Sequence, residues 1–184
     1  MTQTDETPQT AARRLAGPAI AKGFEPSGLH VYSDADAVPW CWRIRATRAD
    51  GEKWIRPMRW NGRAFVIGEP TAPPNGKPLY RLPDLRGDGV AFVVEGETCA
   101  DALTGLGLIA TTSGSAVSAD AADWSPLRGR HVVIWRDNDA AGLRYAEAVT
   151  AKLRGIAAAV DWVNLAPLAL PDKGDCVDWL ALNP

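Results

Sequence analysis

The sequence predicts an α/β protein: a parallel sheet of about four strands flanked by helices, preceded by a small antiparallel, β-rich subdomain. Three observations carry that expectation. Two short apolar runs, Val90–Val94 and His131–Trp135, have the length and β-branched content of buried strands, and each leads into a segment with helical spacing. Further runs at 108–111 and 158–163 continue the alternation of strand and helix, which implies parallel strands joined by right-handed crossovers. Upstream, 30–32, 42–47 and 53–58 alternate apolar with polar residues around Asp50-Gly51, the signature of a hairpin with a tight primed turn.

In chain order, residues 1–27 are expected to be disordered or loosely ordered, because Thr, Gln, Asp, Glu and Ala up to Ala12 offer little to bury. Residues 28–70 form the β-rich subdomain, in which Pro57 should end its strand or mark an edge, since it cannot donate to a ladder. Residues 71–88, centred on Pro73-Pro74-Asn75-Gly76, are a Pro/Gly-rich connector. The α/β domain occupies 89–184. Its first helix has an apolar face of Cys99, Ala102, Leu103 and Leu106 with Thr98 as N-cap. Its second turns Leu143, Ala146, Val149 and Leu153 inward and stops at Gly155. A short last helix, 176–182, follows Pro171-Asp-Lys-Gly-Asp175.

A formal charge of -2 gives no global attraction to nucleic acid or membrane, so any such partner must meet a local patch. Cys41, Cys99 and Cys176 lie far apart and only two histidines are present, which excludes a zinc ribbon or finger motif and a disulfide framework. No apolar run approaches the roughly 20 residues that span a bilayer, and the N-terminus lacks the order of a signal peptide. The expectation is a cytoplasmic protein with no membrane partner.

The local patch lies in the hairpin. Between Trp40 and Arg63 stand seven Lys/Arg against two acidic residues, interleaved with four of the eight Trp. Arg43, Arg45, Lys53, Trp54, Arg56, Arg59, Trp60 and Arg63 could form a single-strand binding surface, cations following phosphates and indoles stacking on bases. The same pattern suits a half-buried sheet with Trp inside and solvated Arg outside, because Arg43 and Arg45 alternate with Trp42 and Ile44. Both readings stand at this point.

Acidic residues follow both buried runs: Glu95-Gly96-Glu97 after the first, Asp137-Asn138-Asp139-Ala-Ala-Gly142 after the second. In one parallel sheet these ends share the carboxyl edge, where open α/β sheets bind ligands. Asp137 and Asp139, two apart, could hold one or two hard cations together with Glu95, relieving their mutual repulsion. Taken singly, Asp139 could as well cap a helix and Glu95 be an exposed strand end. Other patterns are excluded. Gly105-Leu-Gly107 precedes a strand, so it is a helix end rather than a dinucleotide fingerprint. Ala148 stands where a calcium loop needs a bidentate Glu, and there is no P-loop motif.

At these residues the chain resembles the Toprim domain of primases, topoisomerases, recombination mediators and certain nucleases, whose strands end in Glu-Gly and in Asp-x-Asp followed by small residues and Gly. Asp101, the Ser113-Gly114 turn and Gly174-Asp175-Cys-Val-Asp178-Trp-Leu180 extend the similarity toward phage and plasmid primases and primase-helicases, over about 90–182. The resemblance implies a Rossmann-like Toprim sheet and primer synthesis on single-stranded DNA by metal-dependent nucleotidyl transfer from NTPs. It further implies catalytic Glu95, Asp137 and Asp139, and Mg²⁺ or Mn²⁺ held by these with Asp175 and Asp101. Nucleotide contacts fall to Gly96, Ser113 and Gly114, and a replicative helicase is a further implied partner. A Toprim-type metal-dependent nuclease and a non-catalytic nucleic-acid-binding module are the alternatives. The chain departs from the primase pattern in having Lys173-Gly174-Asp175 for the usual Lys-Asp pair, no zinc-binding front domain and a short basic region, as expected of a reduced enzyme or a piece of a larger replication protein.

Overall fold

A computed structural model describes residues 6–115 and 118–183, in two compact units, 1–72 and 73–184. Among the described residues no helix is long and apolar enough to cross a membrane.

The first unit opens with α1 (Pro8–Leu15) and α2 (Gly17–Ile20). These replace the loose segment expected over 1–27, whose first five residues lie outside those described. Thr7 accepts from the Thr10 N–H through Oγ1 at 3.2 Å and Pro8 takes the first helical position, where its missing N–H costs nothing. Ala11, Ala12 and Ala16 are buried against Trp42, Ile44, Met58 and Phe65, so the helix is stabilised by packing, which its short, polar sequence does not announce.

An antiparallel sheet follows, with β1 (Glu25–Ser33), β2 (Pro39–Thr47), β3 (Lys53–Trp60) and β4 (Phe65–Ile67) side by side in that order. Asp50-Gly51 does lie in the β2–β3 turn. That turn is longer than the two-residue primed type: Gly51 N–H donates to the Arg48 carbonyl, and Arg48 N–H to that of Glu52. Pro57 is not at an edge. It sits opposite Arg43 of β2, and on its other side its carbonyl accepts from Gly68 N–H, just past the end of the short β4. A residue's N and O leave a strand on one side, so the proline's missing donor faces the place where β4 has stopped.

The second unit takes in the expected connector: Leu79 and Leu85 belong to its core, Lys77 N–H donates to the Ala121 carbonyl and its carbonyl accepts from Asp123 N–H, and Tyr80 N–H donates to the Thr112 carbonyl. Its parallel strands, β5 (Ala91–Val94), β6 (Ile109–Thr111), β7 (His131–Trp135) and β8 (Ala159–Trp162), lie in the order β6-β5-β7-β8. Between them run α3 (Glu97–Gly105) and α4 (Ala140–Leu153), and α5 (Cys176–Leu182) closes the chain. The fold is thus the expected α/β architecture, an antiparallel sheet followed by a parallel one with interleaved helices.

Two helix faces differ from expectation. Helix α3 begins at Glu97 with Gly96 as N-cap, so Thr98 lies inside it, and its buried face is Glu97, Cys99, Ala100 and Leu103, while Leu106 is exposed beyond its end. In α4 the buried residue is Tyr145, not Leu143, because a phenol whose hydroxyl finds partners can be buried whole. Tyr145, Ala146, Val149 and Leu153 pack on Val93, Val132 and Ile134. The β5–β6 and β7–β8 connections run outward in opposite directions from the central pair, and right-handed crossovers therefore place α3 and α4 on opposite faces. The carboxyl ends of β5 and β7 flank the resulting crevice.

Candidate metal centre

Val94 of β5 is in register with Trp135 of β7, so Glu95 and the 137–139 segment leave the sheet side by side at that crevice. The side chains then separate. Asp139 turns back to cap α4, its Oδ1 accepting from Gly142 N–H at 2.7 Å. The tightest donor group among the described residues is Cys99 Sγ with one carboxylate oxygen each from Asp137 and Asp175, all within 4.8 Å of one another. Glu95 and Asp139 are not in that group. Of the residues expected to meet at one ion, the structure brings Asp137 and Asp175 together, and adds a thiol from α3.

Local chemistry explains the convergence. Gly142 presses on the Asp137 backbone: a Cβ there would lie 2.5 Å from the Asp137 carbonyl oxygen and 2.9 Å from its nitrogen, so the first turn of α4 can seat against the β7 exit only with glycine at this position. Asn138 ties the distant 170–174 loop to the same exit. Its Nδ2 donates to the carbonyls of Leu170 and Pro171, both at 3.0 Å, its backbone N–H donates to Gly174 O at 2.8 Å, and its carbonyl accepts from Lys173 N–H at 3.1 Å. Gly174 folds tightly over Pro171, whose ring would stand 2.8 Å from a Cβ. Asp175 is delivered next, and its Oδ1 caps α5 by accepting from Val177 and Asp178 N–H at 2.7 and 3.1 Å. Asp178 answers by accepting from the Asp175 N–H, completing a capping box. The departure at Lys173-Gly174-Asp175 thus still delivers its carboxylate to Asp137.

Asn138 is a positioning residue that the motif pattern leaves as a variable letter. Asn138→Ala is expected to cost about 1 kcal/mol of stability, the net worth of partly exposed hydrogen bonds, while weakening divalent-cation binding at Asp137 and Asp175 more than that loss implies. Urea unfolding together with manganese titration separates the two effects.

The remaining candidates serve other contacts. Asp101 is held by the Tyr80 hydroxyl, which donates to Oδ1 at 3.0 Å, and by Arg81 Nη1 at 2.9 Å. Burial, reinforced by the Asp101 charge, raises the Tyr80 phenol well above its ordinary value and keeps it a donor. Ser113 is buried: its N–H donates to the Tyr145 hydroxyl at 3.3 Å, and its Oγ lies 3.0 Å from that hydroxyl and accepts from Ser118 Oγ at 2.8 Å. Gly114 N–H donates to Thr112 Oγ1, which donates in turn to the Glu95 carbonyl. The Ser113-Gly114 turn therefore braces the Glu95 end of β5 through Thr112 and Tyr145. Gly96 is the N-cap of α3, with open space where a side chain would be.

In the first unit, register decides which basic residues share a face. Arg43, Arg45, Lys53 and Arg59 lie on one side of the sheet, because Arg43 opposes Pro57, Arg45 opposes Ile55 and Lys53 opposes Thr47. Arg56, Trp54 and Trp60 lie on the other, the helix-covered side, opposite or alternating with Ile44, Ala46 and Met58. Arg56 stacks over Trp54 at 5.4 Å, and Trp60, 39% exposed, meets Phe65 edge-on at 5.0 Å. Arg43 pairs with Glu69 at 3.7 Å and lies over Tyr32. Arg63 is exposed in the β3–β4 loop. Four of the basic residues thus share a face that lacks Trp54 and Trp60, Arg56 alone stacks with an indole on the other, and a strand crossing Arg45 and Arg59 would not meet Trp54 on the same face.

Comparison with protein-family models, curated proteins and solved structures found no match to this chain.

Proposed function

We infer that the chain is a metal-dependent nucleotidyl-transfer module of the primase type, built on a Toprim-like domain that copies single-stranded DNA with NTPs. The observation that carries this reading is topological: Glu95-Gly96 and Asp137-Asn138-Asp139 leave adjacent central strands at the crevice where the crossovers diverge, and Asp175 is drawn to Asp137 from 38 residues later in the chain. The donor set suits a divalent cation. Asp137 and Asp175 are half-buried carboxylates with oxygens close together, and Asp139 retains a second oxygen while Oδ1 caps α4. A bound Mg²⁺ or Mn²⁺ supplies charge that clamps nucleotide phosphates and lowers the barrier to in-line attack. Asp137 and Asp175 would hold that ion, and Asp139, through its second oxygen, and Glu95 would be the further carboxylates near it. Glu95 would accept the proton of the attacking hydroxyl, and Gly96, lacking a side chain, would let phosphate approach the α3 N-terminus.

Asp137→Asn combined with Asp139→Asn is expected to abolish primer extension on an oligonucleotide with Mn²⁺ and NTPs. Asn caps helices as well as Asp, so the fold persists, and circular dichroism checks that it does. Shortening of the oligonucleotide without NTPs would assign the same residues to hydrolysis. Undiminished extension by the double variant removes the assignment.

DNA contact on the first unit would use the Arg45, Lys53 and Arg59 face. Binding should be weak, sequence-tolerant and salt-dependent, and Arg45→Ala with Arg59→Ala should flatten the log–log salt slope by about 1.4, at roughly 0.7 per phosphate contact. Trp60→Ala should instead lower stability by about 0.5–1.5 kcal/mol through its Phe65 contact and leave the slope unchanged. Oligo-dT titration at several salt concentrations measures both, and an unchanged slope in the arginine variant would remove this face from the interface.

A further inference from the structure

The sequence holds no zinc motif, yet two of its three cysteines meet in space beside two carboxylates. Cys99 is the third residue of α3 and Cys176 the first of α5; they are 5% and 1% exposed, and Cys176 Sγ donates to the Cys99 carbonyl at 3.8 Å. Cys99 Sγ and the Asp137 and Asp175 oxygens lie within 4.8 Å of one another. A borderline-soft ion bonds sulfur at about 2.3 Å and carboxylate oxygen at about 2.0–2.2 Å, so it bridges atoms at such separations after small side-chain rotations. The sulfur side of the group is closed while Asp137 and Asp175 are half-buried, so an ion would enter past the oxygens.

We propose that Cys99, Asp137 and Asp175 form a binding site for a thiophilic divalent cation of the zinc class, distinct in donor chemistry from the all-oxygen magnesium or manganese site with which it shares Asp137 and Asp175. Magnesium takes oxygen ligands and gains little from a thiolate, whereas zinc and cobalt bind mixed sulfur and oxygen sets. The ligands are held in advance: Asp137 by Gly142, Asp175 by its cap on α5 and by the Asn138 bridge, Cys99 by the packed inner face of α3. A cation bound there would displace the Cys99 thiol proton. Occupancy by zinc would place a tightly held ion where magnesium must turn over, whether the chain polymerises, hydrolyses or only binds nucleic acid.

Cobalt(II) titration of the full chain, stripped with chelator and kept reduced, tests this without reference to activity. The expected result is one equivalent bound, with a thiolate-to-cobalt charge-transfer band in the near ultraviolet, strong tetrahedral bands in the visible, and loss of both on adding zinc. Cys99→Ser should remove the near-ultraviolet band, and Cys41→Ser, in the other unit, should keep it. Asp175→Asn, which retains both thiols and the cap on α5, should raise the dissociation constant roughly tenfold or more. Cobalt bound with only weak octahedral bands, a charge-transfer band that survives Cys99→Ser, or no binding would each overturn the proposal.

Discussion

Gly142→Ala is expected to lower stability by about 2–4 kcal/mol and to abolish metal-dependent activity in the fraction that stays folded. The added methyl would lie 2.5, 2.9 and 3.0 Å from the carbonyl oxygen, nitrogen and carbonyl carbon of Asp137. These are main-chain atoms next to a strand paired on both sides, so they cannot swing away as a side-chain tip would. Either the β7 exit or the first turn of α4 must move. Overpacking of this kind costs about 1–3 kcal/mol, and displacing α4 would also break the Asp139 bond to Gly142 N–H, a cap worth about 1 kcal/mol. A displacement of about 1 Å at a reacting group can cost on the order of a hundredfold in rate, so activity should fall far more than the folded population. Urea midpoints and manganese affinity measured on one preparation decide it. A variant with normal metal affinity and a changed midpoint would show that the contact is merely structural.

The parts of this arrangement that were legible in the sequence are those written in short-range pattern. Residues 132–135 are four apolar or β-branched letters after His131, and 131–135 form β7. The last helix runs 176–182 as read, because Asp175 and Asp178 stand at cap spacing ahead of an apolar turn. What escaped was decided by distant partners. Cys99 is indistinguishable by periodicity from any core residue of a helix, and it joins Asp137 and Asp175 only because α5 docks against α3. Asp139 carries two competing roles, cation ligand and N-cap, and spacing alone does not choose between them. Asn138 looks like the filler of Asp-x-Asp until its amide is seen bonding carbonyls 32 and 33 residues away. The three-residue β4, absent from the sequence reading, is fixed by pairing with β3 and by Phe65 packing under Trp42 and Trp60. In the basic hairpin composition was legible but register was not, and register separates Arg43, Arg45 and Arg59 from Trp54 and Trp60 while leaving Arg56 on the indole face.

Arg130→Met is expected to lower stability by about 3–4 kcal/mol, although it lies away from the site. Arg130 is 9% exposed, and its guanidinium donates to three carbonyls of the segment leading into β5: Leu85 at 2.7 Å and Gly87 at 2.8 Å through Nη1, Gly89 at 2.9 Å through Nη2. Hydrogen bonds to a charged donor are worth about 1.5–3 kcal/mol each. They do not sum here, because Gly87 and Gly89 are exposed and their carbonyls can turn to water, whereas Leu85 belongs to the core and its carbonyl cannot. Methionine keeps most of the apolar stem and removes only the fork, so the loss measures hydrogen bonding rather than a cavity. Arg130→Lys retains the charge but not the planar fork, reaches fewer of the three carbonyls, and should recover about half of the loss. These contacts hold the amino end of β5, while Glu95 and Gly96 leave its carboxyl end. Cobalt or manganese affinity of the folded Arg130→Met protein should therefore match wild type while its urea midpoint falls. An affinity that falls in step with the midpoint would mean that the amino end of β5 sets the geometry of the metal centre and that the sheet has no separate structural and functional ends.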